Sequence, residues 1–170
     1  MRTQLKSSEK VILVTRTHWL TLAVPAFMTL VAVVAGFIIG GYGLFLVLAA
    51  AIYFLYKGLE RNRNIWAVTN LRVIDEFGVF TNNSKESPLD KINNVSFRQS
   101  LWGKIFGFGN VQIQTAAEIG STTYTMVQGP ARLKDSITQM QEEYKDYQMK
   151  KQAAMLADAM VAAQKKDTVQ

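Results

Sequence analysis

Between Trp19 and Tyr56 the chain runs 38 residues without a Lys, Arg, Asp, Glu or His. One bilayer crossing takes about 20 apolar residues, so the run is nearly twice that length. Gly40-Gly41-Tyr42-Gly43 interrupts it near the middle. Glycines break helices and permit tight turns. The run therefore reads as a transmembrane helical hairpin over residues 19–59, with helices at Trp19–Ile39 and Leu44–Leu59 and the turn at residues 40–43. At 1.5 Å per residue the helices span about 31 Å and about 24 Å. The second is short for a crossing, which snorkelling of Lys57 and local thinning of the bilayer would accommodate.

The flanking charges set an orientation. Arg2, Lys6, Lys10 and Arg16 precede the run, Lys57, Arg61 and Arg63 follow it, and the turn carries no charge. Basic loops stay cytoplasmic, so both ends are expected inside and the turn outside. Trp19, Tyr42, Tyr53 and Tyr56 fall where interfacial rings are favoured. Three alternatives fit less well. A cleaved signal peptide has an apolar core of only about 7–15 residues and a small-residue cleavage site. A buried hairpin of a soluble protein conflicts with helices that are apolar on every face. A single tilted span with a re-entrant piece is the third.

The chain has 170 residues and a net charge of +6. Beside a membrane, a basic excess points to the anionic cytoplasmic leaflet. It does not point to nucleic acid, because there is no dense Lys/Arg run and no basic–aromatic interleaving. With no cysteine, disulfides, thiol catalysis and cysteine-ligated metals are excluded. The only histidine, His18, sits at the edge of the apolar run and is expected to anchor rather than to bind metal.

After Arg63 the texture changes to short alternating runs. Ile65–Thr69 and Arg72–Phe77 read as two strands joined by a tight turn, with Thr69 and Asn70 supplying the turn chemistry. Gly78 marks another turn before Val79-Phe80, and Thr81–Lys85 reads as a polar loop. Pro88 suits an edge or a strand start. Val95–Arg98 alternates, with Ile92 out of phase and a bulge expected between them. Val111–Thr115 is the cleanest period-2 segment, with Val111 and Ile113 on the buried face. Thr122–Val127 is another β-rich run. Six or seven strands with closely spaced turns predict a small antiparallel barrel or sandwich. A long helix follows from Pro130 to about Gln164, with Leu133, Ile137, Met140, Tyr144 and Tyr147 on one face. Beyond Met149 the apolar set (Ala153, Leu156, Met160, Val161) shifts register and has nothing left in its own domain to cover.

Three ordered motifs stand out: Trp66-Ala67-Val68-Thr69-Asn70-Leu71-Arg72, Pro88-Leu89-Asp90-Lys91-Ile92-Asn93-Asn94-Val95, and Gln99–Val111 with Gly103, Gly107 and Gly109. With the preceding hairpin they resemble the bacterial pleckstrin-homology (PH) domain membrane proteins, over roughly Val11 to Met140. The resemblance implies an α+β membrane protein in which a two-helix transmembrane hairpin precedes a PH-like β-barrel capped by a long C-terminal α-helix. It implies a bacterial inner (cytoplasmic) membrane protein with both termini cytoplasmic. The expected organisation is an N-terminal segment at 1–18, the hairpin at 19–59, the PH-like domain at 64–147 and a projecting tail at 148–170.

Phosphoinositide recognition by PH domains needs clustered Lys/Arg on the loop between the first two strands. Here the Thr69–Leu71 turn has only Arg72 beside it. Generic attraction to an anionic surface is assigned instead to Lys85, Lys91, Arg98 and Lys104. Gly103–Gly109 matches no nucleotide-binding fingerprint and reads as a turn. Trp66 and Trp102 are expected in the barrel core. No nucleophile–base set, metal cluster or cofactor motif is evident. The expectation is a non-enzymatic scaffold that self-assembles through the PH-like domain and Leu156, Met160 and Val161. The alternative is an adaptor holding another membrane protein or anionic lipid headgroups.

Overall fold

A computed structural model describes residues 2–116 and 121–167, the stretch 161–167 by its backbone alone. The N-terminal segment, given no strand from sequence, supplies β1 (Val11–Arg16). Its VILVTR sequence suits a pleated edge. β1 pairs antiparallel with β2 (Ile65–Thr69), with Thr15 opposite Trp66 and Arg16 opposite Ile65. The whole apolar run is thus inserted between two neighbouring strands, and its two ends leave the sheet side by side. This pairing spans some 50 residues of intervening chain, so no local pattern announces it.

The insertion is helical throughout, Trp19–Arg63, and is long and apolar enough to cross a membrane. It opens with a 3-10 turn at Trp19–Leu22, where His18 Nδ1 accepts the Leu20 N–H at 3.3 Å. α1 (Ala23–Ile39) and α2 (Gly43–Arg63) are separated by a 3-10 turn at Gly40–Tyr42. The two helices pack on each other. A Cβ on Gly43 would lie 2.3 Å from Gly36 Cα, and Thr29 Oγ1 reaches Pro25 O at 2.9 Å and Ala50 O at 3.3 Å. α2 extends past the expected Leu59 to Arg63, and its 21 residues give about 31 Å. Most of the large apolar side chains on this pair are exposed.

β2 and β3 (Arg72–Phe77) form the expected tight pair. Thr69 Oγ1 closes their turn by accepting the Leu71 and Arg72 N–H groups. β4 (Asn83–Pro88) replaces most of the expected polar loop. It tolerates its NSKESP sequence because it is an edge, paired only with β3. Val79-Phe80 forms no strand. β5 (Ile92–Arg98), β6 (Phe108–Thr115) and β7 (Ser121–Gln128) make a second antiparallel sheet. The expected irregularity falls between Ile92 and Asn94.

The closed barrel is therefore corrected to two sheets, of four and three strands. Among the described residues, one isolated bridge, Thr17 to Val127, links them on one side. On the other side Pro88, which has no N–H, leads into a 3-10 turn at Leu89–Lys91, and the ladder ends. The C-terminal helix spans that gap. Gln141 Nε2 on α4 (Pro130–Asp167) donates to Leu89 O at 3.1 Å and Ile92 O at 2.8 Å. A side chain thus bonds backbone carbonyls where the ladder stops, Leu89 O also accepting the Ile92 N–H. Val68, Val73, Leu89, Val111, Ile113 and Val127 meet Leu133, Ile137 and Met140 in the core, with Tyr144 at its edge.

Trp66 is in this core, but Trp102 is exposed and the barrel-core expectation for it fails. The expected turn around it holds a short helix, α3 (Leu101–Phe106), capped by the Ser100 side chain and by Gly107 at φ 80°. Both caps are favoured residue types for those positions.

Candidate functional site

A cleft of about 460 Å³ opens where the apolar helices meet the two sheets. Thr21, Pro25, Tyr53 and Arg61 line it from the helices, Trp66 and Asp75 from the first sheet, and Thr123 and Tyr124 from the second. Asp75 is its chemical centre. Strand register places Asp75 opposite Trp66 on one side and opposite Lys85 on the other. Asp75 is buried, and burial raises its pKa to about 6 from an ordinary 3.8, against the opposing pull of Lys85, Trp66 and Tyr124. The Trp66 and Tyr124 rings stand 5.4 Å apart. Trp66 Nε1 is close enough to favour the ionised carboxylate, yet it closes no hydrogen bond of normal geometry. Arg61 Nε is buried there without a hydrogen bond. The cleft can hold or release a proton near neutrality. It presents no nucleophile with an adjacent base, and no three metal-binding side chains gather among the described residues.

His18 closes the same junction. Its backbone N–H donates to Met126 O at 2.7 Å, and its ring lies 5.5 Å from that of Phe108. Burial lowers its pKa, with Arg61 adding to the effect and the Phe106 carbonyl opposing it. A neutral anchoring ring is the result.

The β2–β3 turn is occupied rather than open. Arg72 Nη2 pairs with the fully buried Glu9 carboxylate at 2.8 Å, its Nε donates to Glu9 Oε1 at 2.9 Å, and its Nη1 pairs with Glu86. Burial works against the Glu9 charge, but hydrogen bonds from Arg72, the Lys6 N–H and Thr69 outweigh it and hold the carboxyl below its usual range. Glu76 is likewise held low against burial by the Thr3 and Arg2 N–H groups, at 2.6 and 2.7 Å from Oε1. These carboxylates pin the N-terminal segment to the sheet. The one arginine beside the turn is engaged by protein.

The four cations proposed for an anionic surface are not gathered in one place. Lys85 turns inward, its Nζ donating to Thr122 Oγ1 at 2.7 Å. Lys91 pairs with Asp90 at 3.7 Å before β5 begins. Arg98 ends that seven-residue strand, about 20 Å away at 3.3 Å per residue. Arg98 and Lys104 are exposed and flank the start of α3. Leu156 and Met160 are exposed on the distal part of α4; the Val161 side chain lies outside the described residues.

In the sequence Asp75 is only one residue of an expected strand, and Glu9 belongs to no motif. Their partners lie on other strands, so neither had a local signal. The apolar face of α3 did have one, Leu101, Trp102, Ile105 and Phe106 between a serine cap and a glycine cap.

A family model described as the bacterial PH domain matches residues 13–148. The chain belongs to the bacterial PH-domain family. The match begins inside β1 and ends within α4, so the helical insertion is enclosed by the PH domain. Among solved structures, a DUF1696-family protein with a pleckstrin-homology domain from Shewanella loihica PV-4 is similar at 9% identity and a TM-score of 0.45, over 81% of this chain and 85% of that one. No curated protein matches. PH-like domains are in general non-catalytic modules.

Proposed function

We propose that this bacterial PH-domain protein is a membrane-anchored, non-enzymatic scaffold or adaptor. In this reading α1 and α2 form a two-pass hairpin in the inner membrane, both termini are cytoplasmic, and the PH domains self-assemble with help from the distal part of α4. The observation that carries it is the β1–β2 pairing on either side of the insertion. Arg16 lies opposite Ile65, two residues beyond Arg63. A helical insertion that starts and ends at one sheet edge must return to the side it left, which favours an even number of crossings. The exposed apolar faces of α1 and α2 support lipid as their solvent.

The absence of cysteine makes the topology directly testable. In intact cells, a membrane-impermeant maleimide should label Gly41→Cys, and it should label Lys145→Cys only after the membrane is opened. Equal labelling of both positions in intact cells would refute the two-pass reading. Self-assembly predicts that the intact protein in mild detergent has a mass several times that of one chain, and that removing residues 148–170 lowers it. A monomer unaffected by the deletion would remove the assembly component. Exposed Arg98 and Lys104 favour the adaptor form, with anionic headgroups as ligand; it requires that their replacement by glutamine weakens salt-sensitive attachment to anionic vesicles.

A further inference from the structure

Among the apolar features that the described residues leave uncovered, two adjoin the ends of the uncharged run. α3 exposes Leu101 (79%), Trp102 (66%) and Ile105 (70%) on one side, with the Trp102 and Phe106 rings stacked at 6.2 Å. The chain leaving α3 passes at once to Phe108, whose ring contacts His18, the residue before Trp19. Phe80, in the loop between β3 and β4, is 90% exposed and stacks on Tyr56 with ring centroids 6.2 Å apart. Tyr56 is the last residue of the run before Lys57. The positions at which the chain enters and leaves its apolar helices are therefore each flanked by an exposed apolar element of the PH domain.

We propose that α3 and Phe80 insert into the lipid–water interface of the same bilayer leaflet from which α1 and α2 emerge, and so seat the PH domain on the membrane. The inference rests on the anchor reading above. The occupant is lipid because each element adjoins one end of the apolar helices, α3 through Phe108 and His18 and Phe80 through Tyr56. Their chemistry also fits that layer. Tryptophan favours the headgroup level, a short amphipathic helix lies flat there, and exposed Lys104 can extend toward anionic phosphates. A covalent tether through β1 and β2 alone would let the domain swing. Two further points of contact would hold it, and α4 with it, in one orientation.

Nitroxide labels on single cysteines in the full chain, reconstituted into phosphatidylcholine–phosphatidylglycerol vesicles, test this. The positions are Ile105→Cys, Phe80→Cys, Leu30→Cys within α1 and Asp146→Cys on α4. The oxygen-to-nickel accessibility ratio at 105 and 80 should be several-fold above that at 146 and below that at 30. Water-like ratios at 105 or 80, with a lipid-like ratio at 30, would overturn this inference and leave the anchor standing. A water-like ratio at 30 would overturn the anchor reading, and this inference with it. Spectra at 105 that are broadened and sharpen on dilution with unlabelled protein would show that a second copy covers α3, which also overturns it.

Discussion

Replacing Asp75 by asparagine should stabilise the protein, and more so as the pH rises. The carboxyl is buried and titrates near 6 rather than 3.8, so the folded state holds its proton more tightly than the unfolded state does. Below about pH 3.8 both states are protonated and Asp75 contributes nothing to the pH dependence. Between 3.8 and 6 the unfolded chain ionises first, and the fold loses stability as pH rises; above 6 the full penalty is present. At 1.36 kcal/mol per pH unit the penalty is about 3 kcal/mol. Asparagine keeps the shape of the neutral acid and has no charge to desolvate. Melting in mild detergent, followed by circular dichroism, should place Asp75→Asn roughly 6–12 °C above the parent at pH 8, on the scale of 2–4 °C per kcal/mol for chains of this size. The difference should shrink toward zero near pH 4. A gain independent of pH, or a loss at pH 8, would refute the reasoning, since either would mean that the ionised carboxylate is well accommodated by Lys85, Trp66 and Tyr124. A stabilising result would also mark Asp75 as a residue the fold does not need, in a cleft at the foot of the helices.

Glu9→Gln should lower stability by about 3 kcal/mol, because it leaves the Arg72 guanidinium buried with only Glu86 as its ionic partner; denaturant titration above pH 5 reads this. The Glu9 carboxyl is held below its usual value of 4.5, so its contribution is full above that pH and fades as pH falls through the lowered value, and the gap between parent and variant should narrow in acid. Gly43→Leu should separate α1 from α2, since even a Cβ there meets Gly36 backbone at 2.3 Å. A loss of about 1–3 kcal/mol is expected for overpacking of this kind, and unchanged thermal stability would show that the helices do not depend on this approach. Gln141→Leu should destabilise by about 1–3 kcal/mol by removing the side-chain donor from Ile92 O and from Leu89 O, of which the latter keeps the Ile92 N–H; an unchanged denaturation midpoint would mean that water replaces the amide.

The features the sequence alone determined are those set by composition and short-range periodicity. The uncharged run and its glycine break predict apolar helices and their turn. Alternation identifies Val111 and Ile113 as core, 3-4 spacing identifies Leu133, Ile137 and Met140 as the buried face of α4 although Tyr147 in the same series is exposed, and Thr69 announces the turn it closes. Tertiary structure decided what depends on partners far apart in the chain. β1 is a strand because β2 lies beside it, and β4 is a strand, despite its polar sequence, because β3 supplies the ladder on one side only. Where the two sheets part, Gln141 reaches from α4 to Leu89 O and Ile92 O, far away in the chain. Asp75 acquires its raised pKa from burial against two sheets and the feet of two helices, none of it visible in the residues next to it. Trp102 is exposed because capping by Ser100 and Gly107 forms a helix that turns it out of the core. Periodicity reports which face of an element is apolar; only the assembled fold decides whether protein covers that face or leaves it for another solvent.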